Sequence, residues 1–195
     1  MSTVSSSYLK TVSAKLHSLT FITGNAAKAE QLKRHLNYPV FHKKLDLDEI
    51  QSLDLKKIVE RKAREAYKKV KSPVLVEDVS LSFHAFGKLP GPLIKWFLGE
   101  LGNDGLCKML DGHKNRNATA EVCFGLYDGK KLKIFGGKVE GKIAEYPRGK
   151  TDFGWDPIFI PKGNRKTNAE MSIDEQKKTS MRRIALKKLE KFLKK

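Results

Sequence analysis

The sequence predicts an α/β fold around one mixed sheet, and three observations carry that reading. An apolar strand, a tight turn and an amphipathic helix follow one another from Leu19; a second helix and strand occupy residues 54–76; and from Thr119 the pattern changes to a two-residue period around Asp128-Gly129. At 195 residues the chain can bury one ordinary core and has no room for two large domains. One globular domain over residues 19–195 is therefore expected.

Leu19-Thr-Phe-Ile-Thr23 reads as a buried strand, and after Gly24-Asn25 the residues Ala29, Leu32 and Leu36 recur at helical spacing. Leu55, Ile58, Val59, Ala63, Ala66 and Val70 form one stripe of a helix over 54–70 that Asp54 can cap. Val74 to Val76 is a strand. Leu89-Pro-Gly-Pro92 is a turn, with Pro92 suited to opening a helix that Ile94, Phe97, Leu98 and Leu101 continue, and Asn103 can cap a further short one. Residues 120–127 and 131–135 flank Asp128-Gly129 as a hairpin, and a third strand at about 138–145 extends the meander. A last helix begins near 181, with Ala185, Leu189 and Phe192 or Leu193 facing inward.

The formal charge is +17, and residues 162–195 hold twelve Lys or Arg against four acids. Such a surplus suits nucleic acid, an anionic membrane surface or a polyphosphate substrate, and equally a solvated helix face. No apolar run approaches the ~18 residues that cross a bilayer, and the Ser-rich start lacks the apolar block of a secretory signal. A soluble, cytoplasmic protein is expected, with nuclear or organellar pools left open. Residues 1–18 contain no acid and carry Lys10 and Lys15, which reads as a disordered extension or a transit peptide. Cys107 and Cys123 have no metal-type spacing and read as buried, reduced thiols.

Six stretches carry chemistry. Thr23-Gly-Asn-Ala-Ala-Lys28 lies where a strand gives way to a helix, so free N–H groups and the positive helix end can seat a phosphate; an Asn-capped helix after a turn reads the same way. Lys62 falls within the apolar stripe of its helix, where a lysine either meets an anion or snorkels past the core edge. Lys95, between Ile94 and Trp96, raises the same question beside plain exposure. Glu77 and Asp78 end the strand from Val74, where open α/β sheets bind ligands and where a hard cation such as Mg²⁺ finds oxygen donors, or where a polar loop simply begins. Asp46-Leu-Asp-Glu49 offers a further metal ligand or plain helix-start charge. Finally, Phe153-Gly154-Trp155-Asp156 can stack on a base and contact it with a carboxylate, or belong to the core.

In order, Thr23-Gly-Asn with Lys28, Val74 to Phe83, Leu89 to Phe97, Phe153 to Phe159, and Ala169 to Ser172 followed by Ser180-Met-Arg182 resemble the inosine triphosphate pyrophosphatase family. These house-cleaning enzymes hydrolyse deaminated purine nucleoside triphosphates. The resemblance spans about Leu19 to Leu193 and implies an elongated, two-lobed α/β fold with a cleft between the lobes. It also implies a homodimer, Mg²⁺ dependence with Mn²⁺ as a substitute, and cleavage of ITP, dITP or XTP to the monophosphate and pyrophosphate. Membrane and nucleic acid are not required.

The same resemblance assigns phosphate contacts to Thr23, Gly24, Asn25, Lys28, Lys62 and Lys95, metal ligation to Glu49 and Asp78, and activation of water to Asp78. Base contacts fall on Phe153, Gly154, Trp155 and Asp156, and Arg182 matches the arginine that reads the purine's six-position oxygen. Glu77, facing away from Asp78 by strand alternation, is left as a structural acid paired with a lysine. Two positions depart from the family: Gln176 replaces a lysine, with Lys177 one residue away as a substitute, and Met181 replaces a histidine, whose hydrogen bond a thioether cannot donate. A pyrophosphatase with relaxed base choice is one alternative. A basic, non-catalytic nucleotide- or nucleic-acid-binding module is another.

Overall fold

The computed structural model describes residues 18–36, 38–151 and 154–194. The expected N-terminal extension up to residue 17 lies outside the described residues, as does Phe153. The chain runs β1 (Leu19–Ile22), α1 (Ala26–His35), β2 (Val40–Lys43), α2 (Leu55–Val70), β3 (Val74–Phe83), β4 (Pro90–Gly91), α3 (Ile94–Lys108), β5 (Asn117–Tyr127), β6 (Leu132–Ile143), β7 (Phe159–Pro161), α4 (Ile173–Thr179) and α5 (Met181–Leu193). The seven strands form one sheet in the order β2-β1-β3-β5-β6-β7, with β4 beside β3. β1 is parallel to β2 and β3, since α1 and α2 supply the crossovers that parallel neighbours need, and the other pairings are antiparallel. The mixed α/β fold expected from the sequence is present.

Several expected boundaries move. β3 does not stop at Val76 or Asp78; it runs to Phe83, because β5 pairs with it antiparallel along its whole length. The hairpin's second strand and the expected third strand are one continuous β6, and Gly136-Gly137 lies in its interior. Gly137 is the reason a glycine pair does not break it: α5 lies so close that a Cβ there would overlap the Met181 carbonyl oxygen and stand 2.9 Å from the Ala185 nitrogen. Pro92 precedes α3 by two positions instead of opening it, as Pro90-Gly91 is taken into the sheet. Gly102, at φ 62°, ψ −177°, does break α3 before Asn103, but the Asn103 amide donates to the Gly154 carbonyl (3.1 Å) rather than capping the second segment. The short β2, β7 and α4 are additions to the expected elements.

The two faces of the sheet bury different residues of β3. Val74 and Val76 pack with Ile22, Cys123 and the stripe Leu55, Val59, Ala63 and Ala66 of α2. Leu75 packs on the opposite face with Phe21, Phe124, Leu32 of α1 and Ala185, Leu186 and Leu189 of α5. Farther along the strands, Leu81 and Phe83 join Ile94, Leu106, Ile158 and Phe159 in a separate core under α3. The sheet thus carries two lobes, and Met181 packs against both cores on the α5 side.

Candidate active site

β3 is paired with β1 only through Val76, the partner of Ile22. Glu77 and Asp78 are therefore the first β3 residues beyond the parallel neighbour, at the open end of the β1–β3 seam. This is the position that the carboxyl-end rule singles out, reached by a strand that runs on instead of ending. Alternation then sends the two carboxylates to opposite faces.

On the α2 face, the Asp54 side chain caps α2 by accepting from the N–H groups of Lys56 (3.0 Å) and Lys57 (3.4 Å). With its apolar stripe on the sheet, α2 brings Lys62 over β3. The Lys62 ammonium lies 2.6 Å from Glu49 Oε1 and 3.1 Å from Asp78 Oδ2, with its side chain only 16% exposed. Glu49 comes from the connection before α2, which Leu45 and Leu47 pack onto this core and Lys69 fastens by donating to the Asp46 carbonyl (2.5 Å). Burial alone would lower the Lys62 pKa, but the Asp78 charge and the Glu49 hydrogen bond outweigh it and raise it. Burial pushes the Glu49 carboxyl up, and Lys62 above all, helped by the charges of Lys95 and Lys28, brings it below its ordinary value. Three lysines assigned to phosphate thus act on one carboxylate.

On the other face, the Glu77 side chain is 2% exposed and its Oε1 receives Lys28 Nζ from α1 at 3.1 Å and the Arg182 guanidinium from α5. Arg182 also lies over the ring of Phe124, 5.9 Å from its centroid, and Phe124 is the β5 residue opposite Glu77. Burial pushes the Glu77 carboxyl up, but Arg182 and then Lys28 prevail and hold it below its usual value. The expected pairing of Glu77 with a lysine is found; the arginine partner was not expected.

The loop before α1 is tightly organised. Thr23 Oγ1 accepts from the Asn25 N–H (3.1 Å), and Asn25 Oδ1 accepts from the Lys28 N–H (3.2 Å) as the helix cap. Gly24 needs no special φ, and a Cβ there would meet nothing nearer than 3.9 Å, so its bareness leaves space above the loop without serving the fold. His42 of β2, which sequence reasoning did not single out, donates from Nε2 to the Thr23 carbonyl (2.8 Å). Lys95 is exposed at the start of α3 beside the Trp96 ring.

The base-directed residues divide. Trp155 is half-buried against the α3 core, while Gly154 is exposed and accepts from Asn103. Burial raises the Asp156 carboxyl above its ordinary value, against the pull of the Asn168 amide that donates to Oδ1 (3.2 Å). Gln176 explains its own departure from the lysine pattern: its amide donates to the Asn168 carbonyl (2.7 Å), so it braces the residue that holds Asp156. Lys177 lies on the exposed side of α4 and pairs with Asp174 (2.8 Å), outside both the Lys62 cluster and the cluster of Lys28 and Arg182. Cys107 and Cys123 are buried free thiols, each pushed up to about 11 chiefly by burial, which keeps them protonated and out of the chemistry.

The donor set suits a hard divalent cation. Glu49 and Asp78 already converge on one positive charge, and both offer oxygen. Among the described residues no group of three or more His, Cys, Asp or Glu could hold a metal, so an ion here would take its remaining ligands from water and substrate oxygens, as Mg²⁺ does. Among the described residues, no helix is long and apolar enough to cross a membrane.

The Ham1 family model matches residues 19–192. The inosine triphosphate pyrophosphatase 2 of Trypanosoma cruzi is 42% identical, over 87% of this chain and 89% of that protein. An inosine triphosphate pyrophosphatase of Candida albicans is 38% identical, over 91% of this chain and 98% of its own length. Among solved structures, a HAM1 protein from Coxiella burnetii superposes with a TM-score of 0.81 at 25% identity, covering 91% of this chain and 98% of that one. A nucleoside-triphosphatase / dITP/XTP pyrophosphatase from Mycobacterium abscessus gives 0.73 at 26% identity, over 88% and 98%. A family match across nearly the whole length, with such relatives, means that the chain belongs to the Ham1 family.

Proposed function

We propose that this chain, as a Ham1-family hydrolase of nucleoside triphosphates, cleaves ITP, dITP and XTP to the monophosphate and pyrophosphate with Mg²⁺, or Mn²⁺ in its place. The observation that carries this reading is the convergence of Glu49 and Asp78 on the Lys62 ammonium, within the field of Lys28 and Lys95. The names of the relatives support the substrate class.

In this mechanism Lys28, Lys62 and Lys95 bind the triphosphate by charge, and the free N–H groups at the start of α1 donate hydrogen bonds to its oxygens. Lys62 holds Glu49 and Asp78 close together before substrate arrives and keeps the Glu49 carboxyl below its ordinary value. A divalent ion held by these two carboxylates would supply charge neutralisation against the phosphate oxygens. Asp78 takes a proton from the water whose oxygen attacks the α-phosphorus, the bond from that phosphorus to the bridging oxygen breaks, and pyrophosphate leaves with the bond's electron pair. Arg182 donates to the six-position oxygen of the purine; an amino group there would set donor against donor. The family resemblance also carries a homodimer and a cytoplasmic nucleotide pool into this proposal.

A second reading, relaxed base choice, is favoured by two placements. Met181 is spent on packing between the two cores, and the Gln176 amide is spent on Asn168. Neither reaches out to donate to a base. Pyrophosphate release with Mg²⁺ from ITP, XTP, ATP and GTP, measured in parallel, tests both: release from ITP and XTP alone is expected, equal release from ATP supports relaxed choice, and none from any overturns the enzyme in favour of a binding module.

A further inference from the structure

Glu77 is the one acid of the seam that the reaction does not use, yet it is the most deeply placed. It belongs to neither the metal-directed pair nor the phosphate loop. Its Oε1 receives two cations from different helices, Lys28 of α1 and Arg182 of α5, which reach β3 from 105 positions away in the case of Arg182. Its Oε2 is buried and accepts no hydrogen bond among the described residues. An ion pair built for stability would satisfy both oxygens, because each unsatisfied buried oxygen keeps its desolvation cost. A carboxylate that gathers two substrate-directed cations on one oxygen is arranged to place them.

On the nucleotide-hydrolysis reading the two cations have different tasks, Lys28 toward the phosphates and Arg182 toward the base, although both meet at one oxygen of Glu77. Lys28 stands one turn into α1 behind the phosphate loop, and Arg182 opens α5 over the Phe124 ring. Both side chains are long and flexible, and each loses selectivity if its head group wanders. Glu77 itself has no such freedom, since it sits mid-strand between paired neighbours and is enclosed by the core of α1 and α5.

We propose that Glu77 is a positioning residue for base selectivity: it fixes the Arg182 fork and Lys28 relative to each other, so that reading of the base and seating of the phosphates depend on one buried carboxylate. The proposal rests on the nucleotide-hydrolysis reading above.

Glu77→Gln keeps the shape and removes the charge. The expected result is a preference for ITP over ATP, as the ratio of kcat/KM values, that falls about 10-fold, carried by KM for ITP more than by kcat. Glu77→Asp should recover part of the ratio. In an Arg182→Gln background, adding Glu77→Gln should lower the ratio little further, because the two act as one unit. Calorimetric binding of ITP and ATP with EDTA present gives the same comparison without turnover. Unchanged preference in a folded Glu77→Gln protein, shown by an intact circular dichroism spectrum, overturns the proposal while leaving the hydrolysis intact. A wild type that binds ITP preferentially but releases no pyrophosphate overturns the hydrolysis reading alone, and the binding ratio then decides Glu77. A wild type that releases pyrophosphate equally from ITP and ATP and binds them equally overturns the Glu77 proposal alone and supports relaxed base choice, with hydrolysis intact.

Discussion

Asp78 and Glu77 are neighbours on one strand, yet the clusters around them carry opposite excess charge. On the α2 face two acids, Glu49 and Asp78, share one cation, Lys62; on the α1/α5 face one acid, Glu77, holds two cations, Lys28 and Arg182. The first cluster is short of positive charge and the second short of negative charge. In the proposed mechanism a metal ion would satisfy one and a polyphosphate the other, so a metal-bound nucleoside triphosphate placed across the seam would balance both. Exposure divides them in the same sense: the Asp78 side chain is 18% exposed and that of Glu77 only 2%. That division suits the proposed roles, in which Asp78 meets water and a cation and Glu77 only holds other groups in place.

The comparison breaks most sharply at Asp78. Asp78→Asn keeps the shape but removes the proposed base, and pyrophosphate release from ITP should fall about 10³-fold or more with the melting temperature nearly unchanged. Near-wild-type release would return the two acids to equal standing. Lys62→Met should act less strongly, lowering kcat/KM about 10²-fold. It also removes the charge that holds Glu49 low, so the acid limb of the pH–rate profile should move to higher pH; an unmoved limb would mean that Lys62 does not govern Glu49.

The smallest effect is on stability at low pH. Glu77 is held below its ordinary value of 4.5 in the folded protein, so its contribution is present above that value and is lost as pH falls through the depressed one. The wild-type melting temperature should drop more steeply than that of Glu77→Gln between about pH 5 and about pH 3, by a few degrees. Parallel curves would mean that the sealed face contributes no charge-dependent stability.

How far the sequence discloses this arrangement depends on how local each signal is. α2 was plain because six apolar residues keep one stripe, and Lys62 stood out for interrupting it. β2 gave no such signal, since it is a four-residue edge strand with Phe41 63% exposed. The extension of β3 was written in the alternation of Val79, Leu81 and Phe83 with Ser80 and Ser82, but two acids before it read as a loop. α4 announced itself through the Ser172 and Glu175 capping box, yet no apolar run follows to confirm a helix. Lys62 was conspicuous because a lysine in a core stripe either meets an anion or snorkels past the edge, but its pairing with Glu49 and Asp78 was not legible. The bond of Glu77 to Arg182 had no local sign, because α5 meets β3 only after the whole sheet has formed.

Gly137 gives that meeting a particular character. The first turn of α5 rests main chain against main chain on β6, with no side chain between. Side-chain interfaces drift under mutation because rotamers absorb the change; a seat made of two backbones has no rotamers to adjust. The bearing of Arg182 is therefore referenced to the sheet and not to the oily residues beneath its helix. Ala185, Leu186 and Leu189 can be exchanged for other apolar residues of similar bulk over evolutionary time, while the guanidinium keeps its aim.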